Sequence, residues 1–169
     1  MRYLQKTLLP REKIIYAIYP HWVVFTPALW ALAFALFLLL FGQYFLPNLF
    51  PLFGITIHQF AAVIAFIFAG YQAFAAWISY TQSEYAITNE RILAKTGWIQ
   101  RYTIELLLEK VESIRVNQTI TGRIFGYGTI IVTGTGGTQD IFYNVPDPLK
   151  FREKAQEQME IALRNPNAS

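Results

Sequence analysis

The side chains that could do chemistry are few. The chain has no cysteine, and its two histidines are His21 and His58. From Ser83 onward there is neither His nor Cys, so no Ser–His–Asp or Cys–His nucleophile system can be assembled there. Disulfides and cysteine-based metal sites are excluded throughout. Glu105, Glu109 and Glu112 alternate with Lys110 and Arg115, a mixture that makes solvated surface pairs rather than an acid–base pair or a cation cage. Two glycine clusters, Gly126-Tyr127-Gly128 and Gly134-Thr135-Gly136-Gly137, lack the Gly-Lys-Ser/Thr and the following helix of a phosphate loop, so they are expected to be turns. No catalytic residue, metal ligand or cofactor is therefore expected, and the chain is not an enzyme on this reading. What remains is electrostatic. Arg91, Lys95, Arg101, Arg115 and Arg123 are candidate contacts to anionic lipid headgroups, at about 1 kcal/mol for each basic residue near such a surface. Against them stands a neutral balance: residues 84–169 carry ten basic and ten acidic side chains. That neutrality also argues against nucleic acid, whose binding is dominated by phosphate neutralisation.

The elements that must position these groups begin with a membrane segment. Residues 14–83 contain no Asp, Glu, Lys or Arg. Within them, runs of about 22–46 and 59–80 are each long and apolar enough for a spanning helix, which needs ~20 residues. Pro47, Pro51 and Gly54 mark the return between them. Residues 1–13 carry four basic side chains against Glu12 and hold the whole net charge of +3, so the positive-inside rule places both termini in the cytoplasm. Tyr16, Tyr19, Trp22, Trp77 and Tyr80 are expected to form the inner aromatic belt, with His21 and His58 at opposite interfaces. Ala61, Ala65, Ala69 and Ala73 repeat every four residues and predict a helix-packing ridge, with Gln72 bonding across helices.

After Ser83 the pattern turns to short β-type runs: Glu84–Thr88, Arg91–Thr96, Trp98–Ile104, Val111–Val116, Thr129–Thr133 and Ile141–Val145. Asp147 and Pro148 then suit a helix start, and Phe151, Ala155, Gln158/Met159 and Ala162 follow at helical spacing to about Arg164. The expected organisation is a basic N-terminal tail (1–21), a transmembrane hairpin (22–81), a β-rich domain (82–165) and a frayed end (166–169). Six or seven antiparallel strands closing into a small open barrel would remove strand edges, with the terminal helix as cap.

Several blocks carry a family resemblance: Leu9-Pro10-Arg11-Glu12-Lys13-Ile14 leading to His21-Trp22, Glu84-Tyr85-Ala86-Ile87-Thr88-Asn89-Glu90-Arg91-Ile92 with Lys95-Thr96-Gly97, Glu105-Leu106 to Ile114, Gln118 to Thr129, and Pro148 to Phe151-Arg152. In these the chain resembles the bacterial pleckstrin-homology (PH) domain proteins of the membrane-flanked class, although Arg11 stands where that family often has Gly. The resemblance implies a membrane α-helical hairpin plus a PH-like fold of two antiparallel sheets capped by a C-terminal helix. It implies a multi-pass protein of the bacterial inner membrane, with lipids, a membrane-protein partner or further copies of itself as partners. Roles in envelope stress or antimicrobial-peptide tolerance occur among such relatives. The expected function is protein interaction or self-assembly at the cytoplasmic face, the alternative being anionic headgroup binding. The first turn, Asn89-Glu90, lacks the basic residues of a phosphoinositide-binding loop.

Overall fold

A computed structural model describes residues 8–9, 12–45, 56–97 and 102–164. The chain divides into a helical unit, Val24–Ile78, and a β-rich unit that joins Met1–Val23 to Ser79–Ser169.

The helical unit holds α1 (Thr26–Phe45), preceded by a 3₁₀ turn at Trp22–Phe25, and most of α2 (Ile57–Gln82). Both helices are long and apolar enough to cross a membrane, and only 11% and 17% of their most apolar stretches are buried within the protein. Their outward faces, from Trp30 and Phe34 on α1 to Phe60, Ile67 and Tyr71 on α2, are exposed apolar side chains. A core helix of a soluble protein would have these covered.

The buried positions are Ala28, Ala35 and Gly42 on α1 and Ala62, Ala69 and Ala76 on α2. Ala31, Leu38, Ala65 and Gln72, half-buried, lie between them at three- and four-residue spacing. This is a heptad seam of small residues, suited to close helix approach in lipid. It corrects the expected ridge. Of Ala61, Ala65, Ala69 and Ala73, only Ala69 is fully buried, and Ala73 is exposed. At 3.6 residues per turn a four-residue repeat drifts ~40° per step, whereas a seven-residue repeat drifts only ~20°. The backbone approach is tight at Gly42, where an added Cβ would stand 2.7 Å from His58 Cβ.

The β-rich unit has two antiparallel sheets. The first runs β1 (Ile14–Ile18), β2 (Glu84–Thr88), β3 (Arg91–Thr96) and β4 (Tyr102–Leu107); the second runs β5 (Val111–Asn117), β6 (Tyr127–Gly134) and β7 (Gln139–Pro146). The first strand lies in the segment read as a tail. β1 pairs with β2, Ile14 opposite Thr88 and Ile18 opposite Tyr85. The chain therefore leaves the sheet after Ile18 and rejoins it at Glu84 on the neighbouring strand, at the same end. Both apolar helices lie within the connection of one β-hairpin.

Two helices accompany the sheets among the described residues: the short α3 (Ile120–Phe125) and the terminal helix α4 (Pro148–Arg164). α4 packs against β1, β2, β5 and β6. Its buried face is Pro148, Phe151, Ala155 and Gln158, close to the expected helical set. Phe151 and Ala155 join Ile87, Ile92, Ile130, Val132, Phe142 and Val145 in one core drawn from both sheets. The expected barrel is corrected, because the sheets do not close into one. α4 fills the space between them, and β4 passes to β5 through a 3₁₀ turn at Leu108–Lys110. Tyr16 is corrected too. It sits on β1 with its ring edge-on to Phe151, centroids 6.2 Å apart, as part of the core rather than an aromatic belt. β4 is described from Tyr102, and the expected start of that strand at Trp98 falls outside the described residues. The return loop at 47–54, residues 98–101 and the chain end after Arg164 lie outside the described residues.

Candidate functional site

Two local structures build a cleft at one end of the second sheet. Between β5 and β6 the chain forms the single-turn helix α3. Thr119 caps its start, its hydroxyl accepting from the Gly122 N–H at 3.1 Å. Gln118 donates from Nε2 to the Gly122 carbonyl at 3.1 Å. Gly126 ends the helix in the left-handed region (φ 74°), and its carbonyl accepts the Asp147 N–H at 2.9 Å. That last bond ties α3 to the turn before α4, where the Asp147 carbonyl accepts from Phe151 N–H at 3.1 Å.

Between them opens a cleft of ≈ 940 Å³, with Asn117, Gln118 and Arg123 on one side and Asp147, Lys150 and Arg152 on the other. Three cations against one carboxylate make it a place for an anion. Lys150 is positioned from β1, its Nζ lying 5.8 Å from the centroid of the Tyr16 ring. Lys150 and Arg152 also stand in the opening turns of α4, whose first turn has no acidic residue. The positive end of a helix dipole favours acids there, so cations at this position work against helix stability and favour an incoming anion.

An aromatic joint within the β-rich unit ties His21 and Trp22 to α3 and β6. His21 stacks on Tyr127 (centroids 5.4 Å, 25° between planes), and its backbone N–H donates to the Asn144 carbonyl at 2.6 Å. Trp22 meets Phe125 edge-on at 5.9 Å. Burial pushes the His21 pKa down, outweighing the Asp147 charge and a backbone hydrogen bond at Phe125, both of which push it up.

With the two sheets, capping helix and cleft in place, comparison with known families is decisive: residues 22–159 match the family model described as bacterial PH domain. The chain belongs to that family. The match takes in both apolar helices as well as most of the two sheets. No curated protein matches the chain.

In this bacterial PH domain the four described residues of the five basic ones singled out in the sequence, Arg91, Lys95, Arg115 and Arg123, lie in different surroundings. Arg91 is buried and holds Glu12 with two hydrogen bonds and Glu105 with another, so it is not presented to a headgroup. Lys95 lies on β3 opposite Glu84, and Arg115 is exposed on β5. Arg101 lies outside the described residues. Among the described ones, Arg123 lines the cleft. Its companions Lys150 and Arg152 were not singled out in the sequence; their only signal there is a pair of cations in the opening turns of a helix. Among the described residues, no three His, Cys, Asp or Glu side chains gather where they could hold a metal.

Proposed function

We propose that this bacterial PH domain is a membrane-anchored, non-catalytic binding module whose cleft takes the phosphate of an anionic lipid headgroup. The observation that carries the reading is the convergence of Arg123, Lys150 and Arg152 on one cleft, with Arg123 two residues from the Phe125–Trp22 contact. Trp22 is the first residue of the first apolar segment. On this reading α1 and α2 cross the inner membrane as a hairpin. Departure and return on neighbouring strands supports an even number of crossings. The basic N-terminal residues then favour a cytoplasmic location for both ends.

The test is native mass spectrometry of the full-length protein released from mixed phosphatidylcholine and phosphatidylglycerol. Retained phosphatidylglycerol, lost from Arg123→Gln/Lys150→Gln/Arg152→Gln, is the expected result. Three contacts at about 1 kcal/mol each predict on the order of a hundredfold weaker retention. Equal retention of both lipids by wild type and variant would overturn the reading.

A second reading has its own observation. β7 is an edge strand, and on it Ile141 and Tyr143 are exposed at alternate positions. Such an edge suits strand addition by another copy or a partner, the interaction role expected from the resemblance and its link to envelope stress. Because the chain has no cysteine, Tyr143→Cys supplies a unique cross-linking site. Disulfide-linked dimers in native membranes would support it, and monomers alone would count against it.

A further inference from the structure

The helix α3 carries an apolar face that the cleft does not use. Ile120, Ile124 and Phe125 are 80%, 72% and 52% exposed, and they fall on one side of a helix only six residues long. So short a helix has no stability of its own. It is held by the Thr119 cap, the Gln118 side chain and the Gly126 turn. Its inward residue is Gly122, where an added Cβ would stand 2.5 Å from the Tyr127 carbonyl oxygen. The backbone is pressed against β6 there, so the helix cannot roll to hide its isoleucines. Their exposure is built into the fold. Exposed apolar residues gathered this closely mark a surface that something covers.

What covers this one is indicated by its neighbour. Phe125, on the edge of the patch, packs against Trp22, itself 47% exposed and the first residue of the first apolar segment. The patch is thus continuous with the point where the chain turns apolar for the length of α1. Arg123, on the same turn, has the chemistry of a residue at headgroup level. An apolar face with a tryptophan beside it and a cation at its margin is the pattern of an element lying in the membrane interface.

We propose that α3 is a second membrane contact: Ile120, Ile124 and Phe125 enter the boundary between headgroups and acyl chains beside Trp22, and so turn the cleft toward the lipid surface. This rests on the reading of α1 as a membrane span and adds to it a second contact with the lipid.

The experiment uses the cysteine-free full chain in vesicles of phosphatidylcholine with phosphatidylglycerol. Single cysteines at Ile124→Cys, at Phe37→Cys within α1 and at Gln156→Cys on the exposed side of α4 are labelled with an environment-sensitive fluorophore. Each is challenged with aqueous iodide and with lipids spin-labelled at shallow or deep acyl positions. The expected result at residue 124 is a blue-shifted emission, quenching by the shallow lipid label and loss of iodide quenching. Residue 156 should be quenched by iodide alone, and residue 37 by the deep label. Iodide quenching at 124 with lipid quenching at 37 overturns the α3 contact and leaves the anchor intact. Protection at 124 from both iodide and lipid labels means that protein covers the patch, which also overturns it. Absence of lipid quenching at 37 overturns the anchor itself.

Discussion

Glu12 grips Arg91 with both carboxylate oxygens, 2.9 Å to Nε and 2.8 Å to Nη2, across 79 residues of chain that include both apolar helices. The Glu12 side chain is fully buried. Thr88 donates to it at 2.7 Å, the Leu9 N–H donates at 2.8 Å, and Glu105 takes another guanidinium nitrogen of Arg91. The pair therefore clamps the segment before the helices to the β2–β3 turn after them. Two of the blocks that carry the family resemblance, around Glu12 and around Arg91, are the two halves of this clamp.

Removing one half strands the other. Arg91→Leu leaves a buried carboxylate without its main partner and should destabilise the domain by ~3–5 kcal/mol. Arg91→Lys should recover only part of this, because an ammonium cannot make the paired contact. Denaturant unfolding of the full chain in detergent, followed by near-UV circular dichroism, measures both.

The same clamp predicts an acid dependence. Burial pushes the Glu12 pKa up, but the hydrogen bonds from Arg91, Leu9 and Thr88 and the Arg91 charge bring it below the usual value. A carboxylate lowered on folding contributes stability above its unfolded pKa of ~4.3 and loses it as pH falls through the folded value. The gap in melting temperature between wild type and Glu12→Gln should be constant from pH 7 to about pH 5 and then close in stronger acid. A gap that does not change with pH would show that Glu12 is not charged in the fold.

Because β1 belongs to the first sheet, the domain cannot be cut at its second helix. A fragment that begins at Gln82 lacks β1 and Glu12 and should not melt cooperatively. Replacing residues 19–84 with Asn-Gly, a turn suited to the Ile18–Tyr85 pair, should yield a soluble domain that does. Thermal melts of both chains without detergent decide it.

The helix seam makes a phase-specific prediction. Ala69→Leu and Ala62→Leu overpack the buried line and should cost about 1–3 kcal/mol, whereas Ala73→Leu, on the exposed face, should cost little. Unfolding of the full chain in mixed SDS micelles ranks the three. High cost at Ala69 and Ala73 with little at Ala62 would restore the four-residue ridge.

The joint at His21 should weaken in mild acid. Its imidazole pKa is pushed down by burial, so its stabilising contribution is present above the unfolded value of ~6.5 and is lost as pH falls through the folded value. NMR titration of the imidazole should give a midpoint below that of a free histidine. A midpoint above it would place Asp147 rather than burial in control.

Some of this was legible from the sequence because it is local. The charge-free run 14–83 marks two apolar helices, since a helix in lipid needs about 20 uncharged residues whatever lies around it. Phe151, Ala155 and Gln158 declare their buried face by spacing alone, since helical periodicity is a property of the segment itself. Tertiary structure decided the rest, because it depends on which distant segments meet. Nothing in Ile14–Ile18 says that its partner strand follows two long helices. Nothing in Arg91 distinguishes a buried clamp from a headgroup contact until Glu12 is placed beside it. The alanine repeat at four residues and the seam at seven are both present in α2, and only the facing helix selects between them. Arg123, Lys150 and Arg152 come to line one cleft only when α3 is fastened to the start of α4 through Gly126 and Asp147. A charged side chain looks the same in sequence whether it is solvated, paired or converging with others, and its role is set by the neighbours that folding supplies.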